Sequence, residues 1–159
     1  MAKVIMVCGK ICSGKSTYFE KLSIKENAVL LSVDELMLTV FGQNVGENHD
    51  EYVKKIKKYL LKKMTELINS GISVIFDWGF WTRQEREFTK EFCKVRNIEY
   101  ELHYIDINDE LWKQYINNRN NMVSVRKSNV YFIDDGLVEK FISMFEAPDR
   151  DEIDILVNI

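Results

Sequence analysis

Two kinds of hydrophobic pattern alternate along this chain from its N-terminus to its C-terminus. Short, mostly apolar runs of the kind expected for buried strands lie at 3–8, 28–33, 72–78, 100–106 and 153–159. Helices are predicted between them, at 15–24, 34–42, 50–69, 82–95, 108–119 and 135–146. This alternation of strand and helix predicts a parallel β-sheet covered by helices on both faces.

Periodicity and capping residues support four of these helices. The amphipathic helix 50–69 has apolar residues at spacings of three and four: Val53, Ile56, Leu60, Met64 and Leu67. Thr82 and Glu85 form a capping box for the next helix, and Asn108 is predicted to cap the one after it. The stripes predicted to be buried are Phe88, Phe92 and Val95 in helix 82–95, and Leu137, Phe141 and Phe145 in the last helix.

The first predicted strand is followed directly by GKICSGKST, which matches the phosphate-binding pattern G-x-x-x-x-G-K-S. Glycines let successive backbone N–H groups point at an anion, and the following helix adds its N-terminal dipole. Lys15 would reach the β- and γ-phosphates, and the Ser16 hydroxyl would ligate Mg²⁺. The alternative is a chance match to the pattern. The predicted strand before the loop and the predicted helix after it argue against that alternative.

The predicted nucleotide-binding residues of this loop are Gly9, Lys10, Ile11, Cys12, Ser13, Gly14, Lys15, Ser16 and Thr17. Cys12 has two interpretations. It is a small residue at a tolerant loop position, or it is a thiol whose oxidation would disturb nucleotide binding.

The phosphate loop, SVDEL after the second strand and FDWGFWTRQERE after the third together resemble the small P-loop kinases. That group includes chloramphenicol phosphotransferase, the polynucleotide 5′-kinase domain, zeta-toxin-type kinases and an ATP-binding AAA-type subgroup. The resemblance extends over nearly the whole chain. It implies one α/β domain of three layers over 1–159, with a five-stranded parallel sheet in the order 2-3-1-4-5 and a lid-like segment at about 117–130.

The resemblance also implies roles for acidic and basic residues beyond the loop. Asp34 would take the proton of an acceptor hydroxyl, with N-capping of helix 35–41 as the alternative or additional role. Asp77 would help to hold Mg²⁺ or bind the acceptor, unless it is a structural carboxylate at a strand end. Arg119, with Arg126 as a second candidate, would contact the γ-phosphate from the lid, unless both are exposed arginines.

The segment after the third strand supplies candidates for acceptor binding. Trp78 and Trp81, together with Phe80, would form a pocket wall or else cover the core. Arg83 and Arg86 share one helix face and would hold an anionic acceptor, or else be solvated.

Composition narrows the class of partner. A net charge of −3 and a pI near 5.5 argue against a large nucleic-acid surface. Three cysteines and no signal-like or membrane-length apolar run favour a cytoplasmic protein. The sequence therefore predicts an ATP- and Mg²⁺-dependent kinase acting on a hydroxyl of a small molecule. A nucleic-acid 5′-hydroxyl kinase and a nucleotide-gated binding protein without transfer are the alternatives.

Overall fold

A computed structural model describes residues 1–125 and 133–159, with the backbone alone for 123–125. Its sheet has five parallel strands: β1 (Lys3–Gly9), β2 (Ala28–Ser32), β3 (Ser73–Asp77), β4 (Glu99–Asp106) and β5 (Ile155–Asn158). Their order is β2-β3-β1-β4-β5, so the predicted sheet is confirmed. The carboxyl ends of all five strands therefore meet at one edge of the sheet.

Within the described ranges, six α-helices connect the strands: α1 (Lys15–Glu26), α2 (Val33–Phe41), α3 (His49–Asn69), α4 (Arg83–Lys94), α5 (Asp109–Val125) and α6 (Asp135–Met144). Short 3₁₀ turns lie at Gly46–Asn48 and Arg150–Glu152. Asn108 caps α5 as predicted, because its side-chain oxygen accepts from the Leu111 N–H at 2.9 Å. That helix continues past Arg119 into the stretch predicted to be lid-like, whereas Arg126 lies outside the described residues.

The core is built on β1, whose side chains point alternately to the two faces of the sheet. Val4, Met6 and Cys8 pack with residues of α2, α3 and α4. Ile5 and Val7 pack with α1 on the opposite face. A third apolar cluster joins α5 and α6 through Ile107, Trp112 and Phe141. None of the described helices is long and apolar enough to cross a membrane.

The prediction that β2 is a buried strand is wrong for part of its length. Val29 is exposed, because β2 forms one edge of the sheet and has β3 as its single neighbour. The apolar run in β2 is the same kind of sequence as in β1, but its place in the strand order differs. Burial of a strand therefore depends on topology as well as on composition.

In the stripe predicted to be buried on α4, Phe92 is half-buried against the core, but the prediction is wrong for the other two residues. Phe88 and Val95 are exposed, by 58% and 63%, and the buried residues of this helix are Arg86, Thr89 and Cys93. These three also follow a spacing of three and four, but one of them carries a charge. Arg86 can be buried because Glu152 compensates its charge at the far end of the chain.

Candidate active site

The phosphate loop follows β1 directly and leads into α1. Gly14 has φ +83° and Cys12 has φ +54°, so the backbone turns through the left-handed region twice within the loop. Glycine suits position 14 because it has no Cβ that would clash in this conformation. The Lys15 ammonium donates to the carbonyl oxygens of Gly9 at 3.1 Å and Lys10 at 2.9 Å. The loop thus curls around the amine that is expected to bind phosphate.

Two acidic residues lie at the carboxyl ends of neighbouring strands, at the same edge of the sheet. Asp77 is the last residue of β3, and Asp34 comes two residues after β2. Ser32 and Asp77 are paired in the strand register, and the Ser32 hydroxyl donates to Asp77 at 2.9 Å. The same hydroxyl accepts from the Glu35 N–H at 3.2 Å, so Ser32 is the N-cap of α2. Asp34 lies in the first turn of that helix. The alternative that Asp34 itself caps the helix is therefore wrong, which leaves its carboxylate without a capping role.

Desolvation by neighbouring protein atoms raises the pKa of Asp34, and the negative charge of Asp77 raises it further, while Lys15, Arg119 and His49 act in the opposite direction. The residue itself is exposed, so the shift reflects partial desolvation by surrounding protein atoms and not enclosure in the core. Burial lowers the pKa of Lys15, and the charges of Asp77 and Asp34 oppose that effect. Asp77 and Arg119 therefore lie close enough to Asp34 and Lys15 for their charges to affect both groups.

Arg119 enters this site from α5. Its positive charge acts on both Asp34 and Lys15. Its Nε atom is buried and has no hydrogen-bond partner among the described residues. A buried donor without a partner is costly and is often explained by a ligand group.

Successive turns of α5 also hold the outer side of the phosphate loop. The Trp112 indole N–H donates to the Ile11 carbonyl at 2.6 Å, and Lys10 pairs with Asp109 at 2.7 Å. Neither Trp112 nor Asp109 was expected at the site from the sequence. Their contacts span about a hundred residues, and no short motif marks them.

The segment after β3 separates the three aromatic residues that the sequence grouped together. Gly79 and Phe80 both have positive φ, +81° and +51°, and this turn places Phe80 wholly inside the core. Trp81 packs edge-to-face on Phe141, at 4.9 Å between ring centroids. Trp78 is half-buried against Phe76, at 4.3 Å. Of the two alternatives, covering the core is thus confirmed for Phe80.

The prediction that Arg86 binds an acceptor is wrong, and so is the alternative that it is solvated. Its side chain is 1% exposed and forms two hydrogen bonds with Glu152, at 3.0 and 3.2 Å. It also donates to the carbonyl oxygens of Phe80 at 3.2 Å and Glu146 at 2.8 Å. These four bonds tie the segment after β3 to the C-terminal part of the chain.

Arg83 lies on the surface at the start of α4, with its side chain 54% exposed. Its guanidinium donates to Asp149 at 2.8 Å and lies 3.5 Å from Glu87. Two carboxylates therefore compensate its charge, so the fold provides no separate support for a contact with an anionic acceptor.

Comparisons with known proteins agree with this architecture. A family model described as an AAA domain, AAA_33, matches residues 4–132, which include the phosphate loop, both carboxylates and Arg119. A comparison with curated proteins finds no match.

Solved structures share the fold, and two of the three described here are kinases. A gluconokinase from Sinorhizobium meliloti is 14% identical, with a TM-score of 0.63 over 99% of this chain and 82% of that one. The APS kinase CysC of Mycobacterium tuberculosis, in complex with AMPPNP and APS, is 14% identical, with a TM-score of 0.65 over 99% and 88%. Kti12 of Chaetomium thermophilum, in complex with ADP-AlF3, is 16% identical, with a TM-score of 0.69 over 98% and 88%. At these identities the likeness shows the fold, and it confirms the resemblance to small P-loop kinases.

Proposed function

This chain belongs to the AAA domain family AAA_33, and we propose that it is a kinase that transfers the γ-phosphoryl group of ATP to a hydroxyl of a small molecule. The observation that carries the proposal is the meeting of four charged side chains beside the phosphate loop. Lys15 and Arg119 supply positive charge, and Asp34 and Asp77 supply carboxylates. A phosphoryl-transfer site needs both kinds of group.

Nucleotide binding would use the loop from Gly9 to Thr17. The Lys15 ammonium is held by two loop carbonyls. On binding, it would exchange these acceptors for the β- and γ-phosphate oxygens, which form stronger, charge-assisted bonds. Arg119 would bring its guanidinium to the γ-phosphate and stabilise the charge that develops on the transferring group.

The donor set fits Mg²⁺. Ser16 offers an exposed hydroxyl at the start of α1, and Asp77 offers a carboxylate at the end of β3. No group of three or more histidine, cysteine or acidic side chains that could hold a metal occurs among the described residues. That agrees with Mg²⁺ bound mainly by phosphates and waters with one or two protein oxygens. When bound, the ion would neutralise charge on the β- and γ-phosphates.

Asp34 would act as the general base. Its carboxylate accepts the proton of the acceptor hydroxyl as that oxygen bonds to the γ-phosphorus, and the bond from phosphorus to the bridging oxygen of ADP breaks. The raised pKa of Asp34 supports this role, because a stronger base is more effective near neutral pH.

The acceptor side of the site is proposed to include Asp77, Trp78 and Trp81. Arg86 is excluded because it is buried in an ion pair, and Arg83 is paired with Asp149. Recognition of a metabolite, nucleotide or antibiotic-like compound would therefore not depend on the two arginines that the sequence offered. A cytoplasmic location, in which the three cysteines stay reduced, is part of the proposal.

The test is phosphoryl transfer from γ-labelled ATP to a metabolite extract, comparing the wild type with Asp34→Asn. Removing the base should slow transfer by about 10²- to 10⁴-fold while nucleotide binding persists. Glu35→Gln is the matched control, since it makes the same chemical change at an exposed neighbouring position. Transfer that survives in Asp34→Asn would refute the role of this carboxylate.

The same experiment separates the alternatives. An oligonucleotide with a 5′-hydroxyl belongs in the acceptor panel, and labelling with a steep salt dependence would favour a nucleic-acid kinase. Tight ATP binding without any labelled product would instead favour a nucleotide-gated binding protein.

A further inference from the structure

One face of α5 runs from the phosphate loop to the proposed γ-phosphate site. Asp109, Trp112, Tyr115 and Arg119 follow one another at spacings of three, three and four residues. Such positions lie above one another on the same side of a helix. Trp112 and Arg119 are two turns apart, which corresponds to roughly 10 Å along the helix axis.

The first three of these residues contact three consecutive residues of the loop. Asp109 pairs with the Lys10 ammonium at 2.7 Å. Trp112 donates its indole N–H to the Ile11 carbonyl at 2.6 Å.

The third contact completes the series. The carbonyl of Tyr115 accepts from the Cys12 thiol at 3.3 Å. The outer side of the loop is therefore matched, residue by residue, to one helix face.

The bond from Trp112 has a consequence inside the loop. A trans peptide places the C=O of one residue and the N–H of the next in opposite directions. Because the Ile11 carbonyl points to the indole, the Cys12 N–H points away from Trp112. Trp112 is itself held, since it is buried and packs 5.6 Å from the Phe141 ring.

The far end of α5 is also held. The Asn120 side chain donates to the Ile133 carbonyl at 2.6 Å and accepts from the Ile133 N–H at 3.0 Å. Arg119 precedes Asn120, and its Nε is buried without a partner in the described part of the chain. The helix that carries Arg119 is thus secured on both sides of this residue.

We propose that α5 couples the phosphate loop to Arg119, and that Trp112 is a positioning residue that aligns this arginine with the γ-phosphate. The inference rests on the proposed function, because it takes the loop to bind ATP and Arg119 to contact the γ-phosphate. Its consequence is a preference for the triphosphate over the diphosphate that depends on Trp112 only while Arg119 is present.

The test measures the dissociation constants of AMPPNP and ADP, with Mg²⁺, for the wild type, Trp112→Phe, Arg119→Ala and the double variant. Arg119→Ala should reduce the preference for AMPPNP about tenfold or more, as expected for a charge-assisted bond. Trp112→Phe should reduce it about threefold to tenfold, as expected for one neutral hydrogen bond. The double variant should match Arg119→Ala, because no arginine remains to be aligned.

Ile116→Val is the control for packing. It removes a methylene group from the same apolar cluster on α5 but no hydrogen-bond donor. The preference for AMPPNP over ADP should stay unchanged. Asp109→Asn provides a second variant if Trp112→Phe folds poorly, since it weakens the contact with Lys10 at an exposed position.

Each outcome decides between the two proposals. If neither the wild type nor any variant binds nucleotide, the proposed function is refuted. If nucleotide binds but Trp112→Phe and Asp109→Asn leave the preference unchanged, the coupling is refuted. It is refuted equally if Trp112→Phe lowers the preference by the same factor with and without Arg119, because the indole would then act on the loop alone.

Discussion

The buried pair of Arg86 and Glu152 provides a test of what holds the C-terminal part of the chain to the core. Glu152→Gln retains the size of the side chain and removes its charge. The Arg86 guanidinium would then remain buried without a carboxylate partner. It would keep its hydrogen bonds to two neutral acceptors, the carbonyl oxygens of Phe80 and Glu146. A buried cation without a counter-charge is strongly unfavourable.

The expected size of the effect follows from these contacts. Removing one partner of a buried ion pair costs about 3–5 kcal/mol. Two of the four hydrogen bonds of Arg86 go to backbone carbonyls and survive the substitution. We therefore expect a loss near 3 kcal/mol in the free energy of unfolding, which is a large part of the roughly 5–15 kcal/mol typical of a domain.

Urea denaturation at pH 7 measures this loss. Glu66→Gln is the control, because Glu66 forms a comparable contact with Lys63 at 2.7 Å on the surface of α3, and its midpoint should hardly move. The double variant Arg86→Met with Glu152→Leu should recover much of the stability, since apolar residues remove both charges. A loss below about 1 kcal/mol in Glu152→Gln would refute the reasoning.

Acidification gives a second measurement on the same pair. Burial opposes ionisation of Glu152, but hydrogen bonds from Arg86 and from the Asp149 backbone, with the charges of Arg86 and Lys90, hold its pKa below the ordinary value. A lowered pKa in the folded state contributes stability above the unfolded pKa, and this is lost as the pH falls through the folded pKa. The difference between wild type and Glu152→Gln should therefore shrink below about pH 4.5.

Three further predictions concern the turn after β3, the surface of α4 and the proposed base. Gly79→Ala should lower the free energy of unfolding by about 1–3 kcal/mol in urea denaturation, because φ is +81° and a Cβ would lie 2.7 Å from the Trp81 indole nitrogen. Phe88→Ser should change it by less than about 0.5 kcal/mol, because Phe88 is exposed; a larger loss would mean that it is buried. Asp77→Asn should move the acidic limb of the pH–rate profile to lower pH, because the charge of Asp77 raises the pKa of Asp34; a limb displaced to higher pH would contradict this.

The strands were predictable because their signal is local. Each apolar run is continuous in the sequence, and the observed bounds differ from the predicted ones by a few residues at most. The order of the strands is not local information, and it came from the resemblance to P-loop kinases. Exposure at Val29 depends on that order, so the composition of β2 alone could not reveal it.

The buried face of α4 was not predictable from the helix itself. An apolar periodicity favoured Phe88 and Val95, but burial on this helix is decided by Arg86 and its partner Glu152, 66 residues away. Ser32 is a different case. Its spacing to Glu35 is that of a capping box, so the sequence does carry a local signal for the N-cap of α2.

The residues of the candidate site also differ in whether a local sequence pattern marks them. The phosphate loop is contiguous, and its glycine and lysine spacing has a physical reason that the sequence alone displays. The support that α5 gives to this loop is distant, since Trp112 and Ile11 are 101 residues apart. A tryptophan on a helix is more often a core residue, and here it is one while its indole N–H also holds the loop.

Charge compensation distinguishes the arginines that the sequence could not tell apart. Arg86 has a buried carboxylate partner and Arg83 an exposed one, so the fold itself accounts for both charges. Arg119 lies close enough to Asp34 for its charge to oppose the rise in the pKa of that carboxyl. Its Nε is buried without a hydrogen bond in the part of the chain that the structure describes. A donor held in this way is costly unless a ligand satisfies it. This supports the proposal that Arg119, among these three arginines, contacts the phosphoryl group.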